Sequence, residues 1–222
     1  MDILTHTLSG IAAGTVVASF SKKGFSDRAK IIGLAGIAGA LPDIDAISLW
    51  SGFDSTFGRI FNLELTGREI YSAKLWYSHH AFFHSLFAGF LFTSIIAILI
   101  YIMSSKHFGR SLNGLVNSIS HSSLILIAFF AGYTIHLFED MATPASTWGG
   151  VNLFWPARSY IGGTGDIWWW NNYDIFLLVC AVIILNLIVV IISRSRKFDR
   201  RKFTMGFFMV GFILIFVQIK SR

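Results

Sequence analysis

The stretch HAFFHSLFAGFLFTSIIAILIYIM, residues 80–103, decides the fold. It has two histidines at one end and no Asp, Glu, Lys or Arg anywhere. A run of about 20 apolar residues crosses a bilayer's hydrocarbon core as a helix. Five further stretches read the same way: residues 3–20, 29–50, 119–141, 174–193 and 203–219. The first two of the six are rich in Gly and Ala and polar at one end. No alternation of apolar and polar residues competes with this reading, so a helical bundle is expected rather than a barrel. Composition agrees. Of 222 residues, 54% are hydrophobic and 14% charged, against about 25% charged in soluble domains. Disorder is excluded, because it requires low hydrophobicity. The expected fold is all-α, a polytopic membrane helix bundle with about six transmembrane helices and an extracytoplasmic loop cap. It forms one integral membrane domain over residues 1–222.

The formal charge of +6 invites a polyanion partner, but the distribution of charge argues against nucleic acid. Segments 21–30, 104–118 and 194–202 hold four, two and six of the 18 Lys and Arg. They fall on one side of a six-helix threading, which the positive-inside rule makes cytoplasmic. Both termini are then extracytoplasmic, in a multi-pass protein of the cell (inner) membrane. Only Asp27 and Asp199 of the 12 acids fall in those inside loops. All seven Trp fall on the other side: Trp50, Trp76, Trp148, Trp155, Trp168, Trp169 and Trp170. The long outer segments 51–78 and 142–173 are expected to fold into a cap lying against lipid headgroups. The first charge is Asp2 and no basic region precedes the first apolar run, so that run is expected to be retained rather than cleaved as a signal peptide.

Ionisable groups inside spans are costly and mark function by default. They occur here at four places, all at the outer ends. His6 lies one turn into the first span. Asp43 and Asp45 follow Pro42 near the end of the second. His79, His80 and His84 open the third, and His136, Glu139 and Asp140 close the fourth. His136 and Asp140 are spaced i,i+4, as are His80 and His84, which places each pair on one helical face. Imidazole nitrogen with carboxylate oxygen suits zinc, and also manganese or iron. The donors exceed one tetrahedral shell, so one to three divalent ions are expected. Paired metals commonly serve displacement at a phosphoester. His107 and His121 fall toward the inner side and are expected bystanders.

Four blocks carry a family resemblance: MDILTHTLSG (1–10), LPDID (41–45), HHAFFHSL (79–86) and HLFED (136–140). A weaker fifth runs through Thr143, Pro144, Trp148, Gly149 and Phe154-Trp155-Pro156 to Asp174. In these blocks the chain resembles the YdjM family of membrane-bound, metal-dependent hydrolases. The resemblance covers residues 1–176 as a metal-site core and leaves 177–222 as a two-helix C-terminal extension. It departs at the third block, where the family pattern is His-Arg-Gly-x-Thr-His-Ser and this chain has His80 and Phe83. The resemblance implies His79 and His84 as the ligand pair there, whereas helical spacing favours His80 and His84. More distantly, the His-x-x-x-Asp element is similar to that of the zinc-dependent phospholipase C and single-strand nuclease superfamily, which implies phosphoester chemistry.

The expected activity is therefore hydrolysis of a membrane-lipid phosphoester at the outer face. His6, Asp43, Asp45, His79, His80, His84, His136 and Asp140 are the expected metal ligands. Asp45 or Glu139 would take the proton, and Arg158 and Arg68 are candidates for an anionic headgroup. The competing expectation is a divalent-cation transporter using the same His and Asp side chains, which predicts polar groups along a route through both leaflets.

Overall fold

A computed structural model describes residues 3–143, 149–163, 173–192 and 199–220. Eight α-helices occur among them: α1 (Ile3–Ser19), α2 (Phe25–Ala40), α3 (Gly67–Ser72), α4 (Leu86–Phe108), α5 (Leu112–His121), α6 (Ser123–Ala142), α7 (Tyr173–Ile192) and α8 (Arg200–Lys220). Two 3₁₀ helices, Pro42–Leu49 and Phe82–His84, and a π-helical turn, Asp54–Gly58, complete the regular structure. The described residues contain a single isolated bridge, Val151 with Ile161, and no strands. The cap tryptophans Trp148, Trp168, Trp169 and Trp170 lie outside the described residues, as do Pro144 and the basic Arg194, Arg196 and Lys197.

Among the described residues four helices are long and apolar enough to cross a membrane: α4, α6, α7 and α8. The expected second span is broken. Pro42 removes a helical N–H donor, and α2 meets the 3₁₀ helix Pro42–Leu49 at a bend of 46°, so that the pair counts as a fifth span when taken together. Helix α1 is apolar but shorter, at 17 residues. The expected count of six therefore resolves into four full-length helices, one bent pair and one short helix. Two boundaries differ from the sequence reading. The third span begins at Leu86 rather than His80, because Ser85 caps it, its hydroxyl accepting from Ala88 N–H in the usual manner of an N-cap. Segment 104–118, expected as a loop, contains the start of the amphipathic helix α5.

Helix α2 is wedged between α1 and α6. Small residues allow this. A Cβ at Gly39 would run into the His6 carbonyl, one at Gly10 into the Ala35 carbonyl, and one at Gly132 into the same Ala35 carbonyl. Close backbone approach through small residues is the standard membrane packing device, because lipid tails give no hydrophobic drive for helix association. Tyr133, Leu137, Phe129 and Ala88 pack α6 against α4, with Val151 and Leu153 of the cap closing the same cluster. Helix α7 docks on α1 through Ala12, Val179, Val182 and Ile183, and its buried Asn186 donates to the Thr15 hydroxyl at 2.9 Å. Ile95, Ile98, Ile102 and Met103 of α4, with Met209, Phe212, Ile213 and Phe216 of α8, remain exposed, as lipid-facing surfaces must be.

Candidate metal centre

Five histidines and four carboxylates meet at the end of the bundle where α1 begins and α2 and α6 end. Helix α1 supplies His6. The 3₁₀ helix Pro42–Leu49 supplies Asp43 and Asp45 from its first turn. Helix α6 supplies His136, Glu139 and Asp140 on its last turns. His79, His80 and His84 come from an irregular segment and not from one helical face, so the i,i+4 reading of His80 with His84 does not hold. Their convergence depends instead on His80, whose φ of 62° lies in the left-handed region that non-glycine residues seldom enter. That conformation is held at both ends. Asn152 N–H donates to the His80 carbonyl at 2.9 Å, and His80 Nδ1 donates to the Gly150 carbonyl at 3.0 Å.

Four of the five imidazoles are hydrogen-bonded through Nδ1 to an oxygen, and the fifth, His84, has a carboxylate oxygen at ion-pair distance from that nitrogen. His6 Nδ1 lies 2.7 Å from Glu139 Oε2. His79 Nδ1 lies 2.7 Å from Asp45 Oδ1, and His84 Nδ1 3.2 Å from Asp45 Oδ2. His136 Nδ1 lies 2.6 Å from the Gly39 carbonyl, and His80 uses Gly150. Carbonyl oxygens only accept, so these contacts fix the proton on Nδ1 and leave Nε2 as the lone-pair nitrogen. Carboxylates favour the same tautomer and raise the basicity of the ring, the usual outer partnership of metal-ligating histidine.

The Nε2 atoms of four of the five then crowd two further carboxylates. His84 Nε2 lies 3.2 Å from His136 Nε2, 3.3 Å from Asp140 Oδ2 and 3.6 Å from Asp43 Oδ1. His136 Nε2 is 3.0 Å from Asp140 Oδ2 and 3.7 Å from Asp43 Oδ1. His6 Nε2 is 3.1 Å from Asp140 Oδ1, and His80 Nε2 3.7 Å from Asp140 Oδ2. Two ligands about 2.0–2.1 Å from a tetrahedral ion stand roughly 3.3 Å apart, which these separations bracket. Two donor groups are compact enough for a metal: His79, His80 and His84, and His6, Asp43, His136 and Asp140, each with ligand atoms within 4.8 Å of one another. So many acceptors facing one another in a buried space require a cation or several protons. Burial lowers the basicity of His84, yet Asp45, Asp140 and Asp43 outweigh it and hold the ring well above the ordinary imidazole range. Burial, with His84 beside it, pushes His80 down to about 3.

Each residue singled out from the sequence can now be placed. His6, Asp43, His84, His136 and Asp140 form the heart of the cluster, and His79 and His80 both join it. Asp45 lies outside both compact donor groups; its Oδ1 holds the His79 ring, and its Oδ2 stands beside His84. Glu139 likewise holds His6. Arg68, on α3, and Arg158 are exposed, and among the described residues no hydrogen bond or ion pair brings either to the cluster. His107 and His121 sit at the opposite end of the bundle, where His121 Nε2 meets Lys23 Nζ at 3.0 Å. Sequence reasoning missed the Gly39 and Gly150 carbonyls, which carry no side-chain signal. It also missed Tyr71, whose ring stacks on His79 with centroids 4.4 Å apart. Burial and the carboxylates Asp43, Asp45 and Asp140 raise the Tyr71 phenol above its ordinary range.

Fold and site together define a multi-pass membrane protein with a buried histidine–carboxylate centre, fitted for a divalent metal, at one end of its bundle. The family model described as YdjM inner membrane protein matches residues 1–222, so the match runs through α7 and α8 as well, and the chain belongs to that family. A search of curated proteins and a search of solved structures each returned no match.

Proposed function

We propose that the protein is a membrane-bound, metal-dependent hydrolase acting on a lipid phosphoester at the extracytoplasmic face. The observation that carries this reading is the gathering of the His6, His80, His84 and His136 Nε2 atoms around Asp140 and Asp43, with the Nδ1 atoms of His6, His80 and His136 hydrogen-bonded outward. Structural zinc sites are closed by four ligands; this cluster offers seven donor residues in two groups, which suits catalysis better than bracing. A bound divalent metal supplies Lewis acidity and lowers the pKa of water toward neutrality. Zinc is the first choice for this donor set, with manganese or iron as alternatives.

The chain's own residues do the rest. His6, His84, His136, Asp43 and Asp140 hold one to two ions, with His79 and His80 completing the second group. Asp45 fixes the ring of His79 and sets a carboxylate oxygen beside His84, and Glu139 fixes His6. Glu139 uses one oxygen for that task, and its side chain keeps 16% exposure, so it remains able to take a proton from attacking water. The near-complete burial of the cluster strengthens its electrostatics by excluding bulk water. Placement of all the described buried histidines and carboxylates at one end supports a surface reaction over a route through both leaflets.

Elemental analysis of purified protein, coupled to a lipid-phosphoester hydrolysis screen with and without chelator, tests the proposal. Stoichiometric metal and chelator-sensitive phosphate release are expected, both lost in His136→Ala and Asp140→Ala. Hydrolysis that survives in both variants would overturn it.

A further inference from the structure

Beside the cluster, in the cap, lies a cavity of about 670 Å³. Its walls include Ile44, Phe53, Phe57, Trp76, Tyr77 and Phe83. Only Asp45 and Ser48 among the lining residues are charged or aliphatic-hydroxyl, and both belong to the 3₁₀ helix that carries Asp43. Ser48 is 6% exposed, and its hydroxyl is buried with no hydrogen-bond partner. A buried polar group left unmatched costs about 1–3 kcal/mol, so it points to a ligand atom that completes it. Apart from the Tyr77 phenol and the Trp76 indole N–H, the rest of the lining is hydrocarbon, and apolar cavities stay dry or take apolar guests.

We infer that this cavity seats one hydrocarbon chain of a membrane lipid, with the polar linkage of that lipid at Ser48 and Asp45, against the metal cluster. The inference rests on the hydrolase reading above and adds the class of substrate, an amphiphile bound by its chain as well as its head. The mouth supports a lipid occupant. Phe61 and Trp76, which line the cavity, are 67% and 62% exposed, and Ile44 is 50% exposed. An apolar rim of that kind marks a surface that meets lipid or a partner, and it lies at the end of the bundle where the apolar spans emerge. Size selects the number of chains. At about 30 Å³ per non-hydrogen atom, the share of a water molecule in the liquid, the cavity holds about 20 such atoms, enough for one chain. The groove of about 180 Å³ among α1, α6, α7 and α8, which reaches Glu139, is too small for the same role.

The test is photolabelling, which needs no turnover and so separates failure of this inference from failure of the hydrolase reading. The full-length protein is reconstituted into phosphatidylethanolamine–phosphatidylglycerol vesicles. One preparation carries a phosphatidylglycerol with a diazirine on one acyl chain, the other a diazirine-bearing polyprenyl phosphate. Labels mapped to Phe57, Phe61, Trp76 or Phe83 support the inference, and whichever probe gives them identifies the chain as acyl or isoprenoid. Leu63→Trp, which fills the cavity, should lower that labelling about tenfold, equivalent to about 1.4 kcal/mol. Ser48→Ala should lower it about fivefold. Metal content, unchanged in both variants, shows that each has folded. Labels confined to the lipid-facing sides of α4 and α8, or cavity labelling that Leu63→Trp leaves intact, would overturn the inference.

Discussion

Asp45→Asn separates a carboxylate that aims ligands from one that binds metal. Asp45 Oδ1 accepts from His79 Nδ1 at 2.7 Å, and its Oδ2 stands 3.2 Å from His84 Nδ1 as an ion-pair contact. An asparagine has the same shape but one acceptor and one donor. Whichever way its amide turns, one Nδ1–H faces an NH₂ group, and that ring must rotate or shift its proton to Nε2. Either response spoils its lone pair toward the cluster. Loss of one such outer partner lowers metal affinity about 10- to 100-fold. Asp45 serves two rings in a buried site, so the upper figure applies, about 100-fold or about 2.7 kcal/mol. Competition with a chromogenic zinc chelator in detergent measures it directly. Asp54→Asn is the control, because Asp54 belongs to the cap and accepts only the Gly67 N–H; it should leave affinity unchanged. Zinc affinity in Asp45→Asn within threefold of the parent would show that the Nδ1 ties do not organise the site.

Three further outcomes follow from the same geometry. Gly39→Ala drives a Cβ into the His6 carbonyl and the Gly10 backbone, neither of which can yield as a side chain does; thermal unfolding in detergent should show a loss of about 2 kcal/mol or more, with weakened metal binding because the Gly39 carbonyl also holds His136. Metal uptake should release protons and strengthen with pH. Carboxylates hold His84 above its ordinary range in the metal-free protein, and a ligating imidazole must be deprotonated; calorimetry in buffers of different ionisation enthalpy should report net proton release on metal binding at pH 7, and zero release would refute the assignment. Asn186→Ala removes the hydrogen bond from α7 to Thr15 of α1 and should cost about 0.6–1.7 kcal/mol, read by unfolding, with metal affinity preserved because the bond lies in the half of the bundle away from the cluster.

What the sequence disclosed and what it concealed divide along a physical line. Long apolar runs announce helices, so α4, α6, α7 and α8 were all legible, and the histidines and acids stood out against apolar surroundings. Pro42 signalled a disturbance, but neither its 46° bend nor the 3₁₀ continuation is encoded by periodicity. The hidden part was the segment 79–84. Two of its histidines match a helical spacing, and nothing local reveals that His80 takes a left-handed conformation, because the forces holding it come from Asn152 and Gly150, some 70 residues away. Asp45 reads from the sequence as a ligand or a base, and nothing in the sequence discloses that one of its oxygens accepts from His79 Nδ1. Arg68 and Arg158 drew notice by charge and side of the membrane, which say nothing of reach.

The small residues of α2 and the chemistry of the cluster are one device. Gly39 has no side chain, and so α2 approaches α1 closely enough for the His6 backbone to pass over it. The same approach frees the Gly39 carbonyl at the end of α2, where Pro42 interrupts the helical hydrogen-bond ladder, and that carbonyl accepts from His136 of α6. One glycine therefore sets the depth of His6 and the tautomer of His136 together. His6 and His136 in turn stack, with ring centroids 3.7 Å apart, and both address Asp140. A larger residue at position 39 would separate α1 from α2 and would withdraw the acceptor from His136 in the same movement. Helix packing through small residues is often treated as scaffold and ligand geometry as function. Here the distance between two backbones is what fixes where the lone pairs point, so a packing change and a loss of metal binding should be inseparable at Gly39 while remaining separable at Asn186.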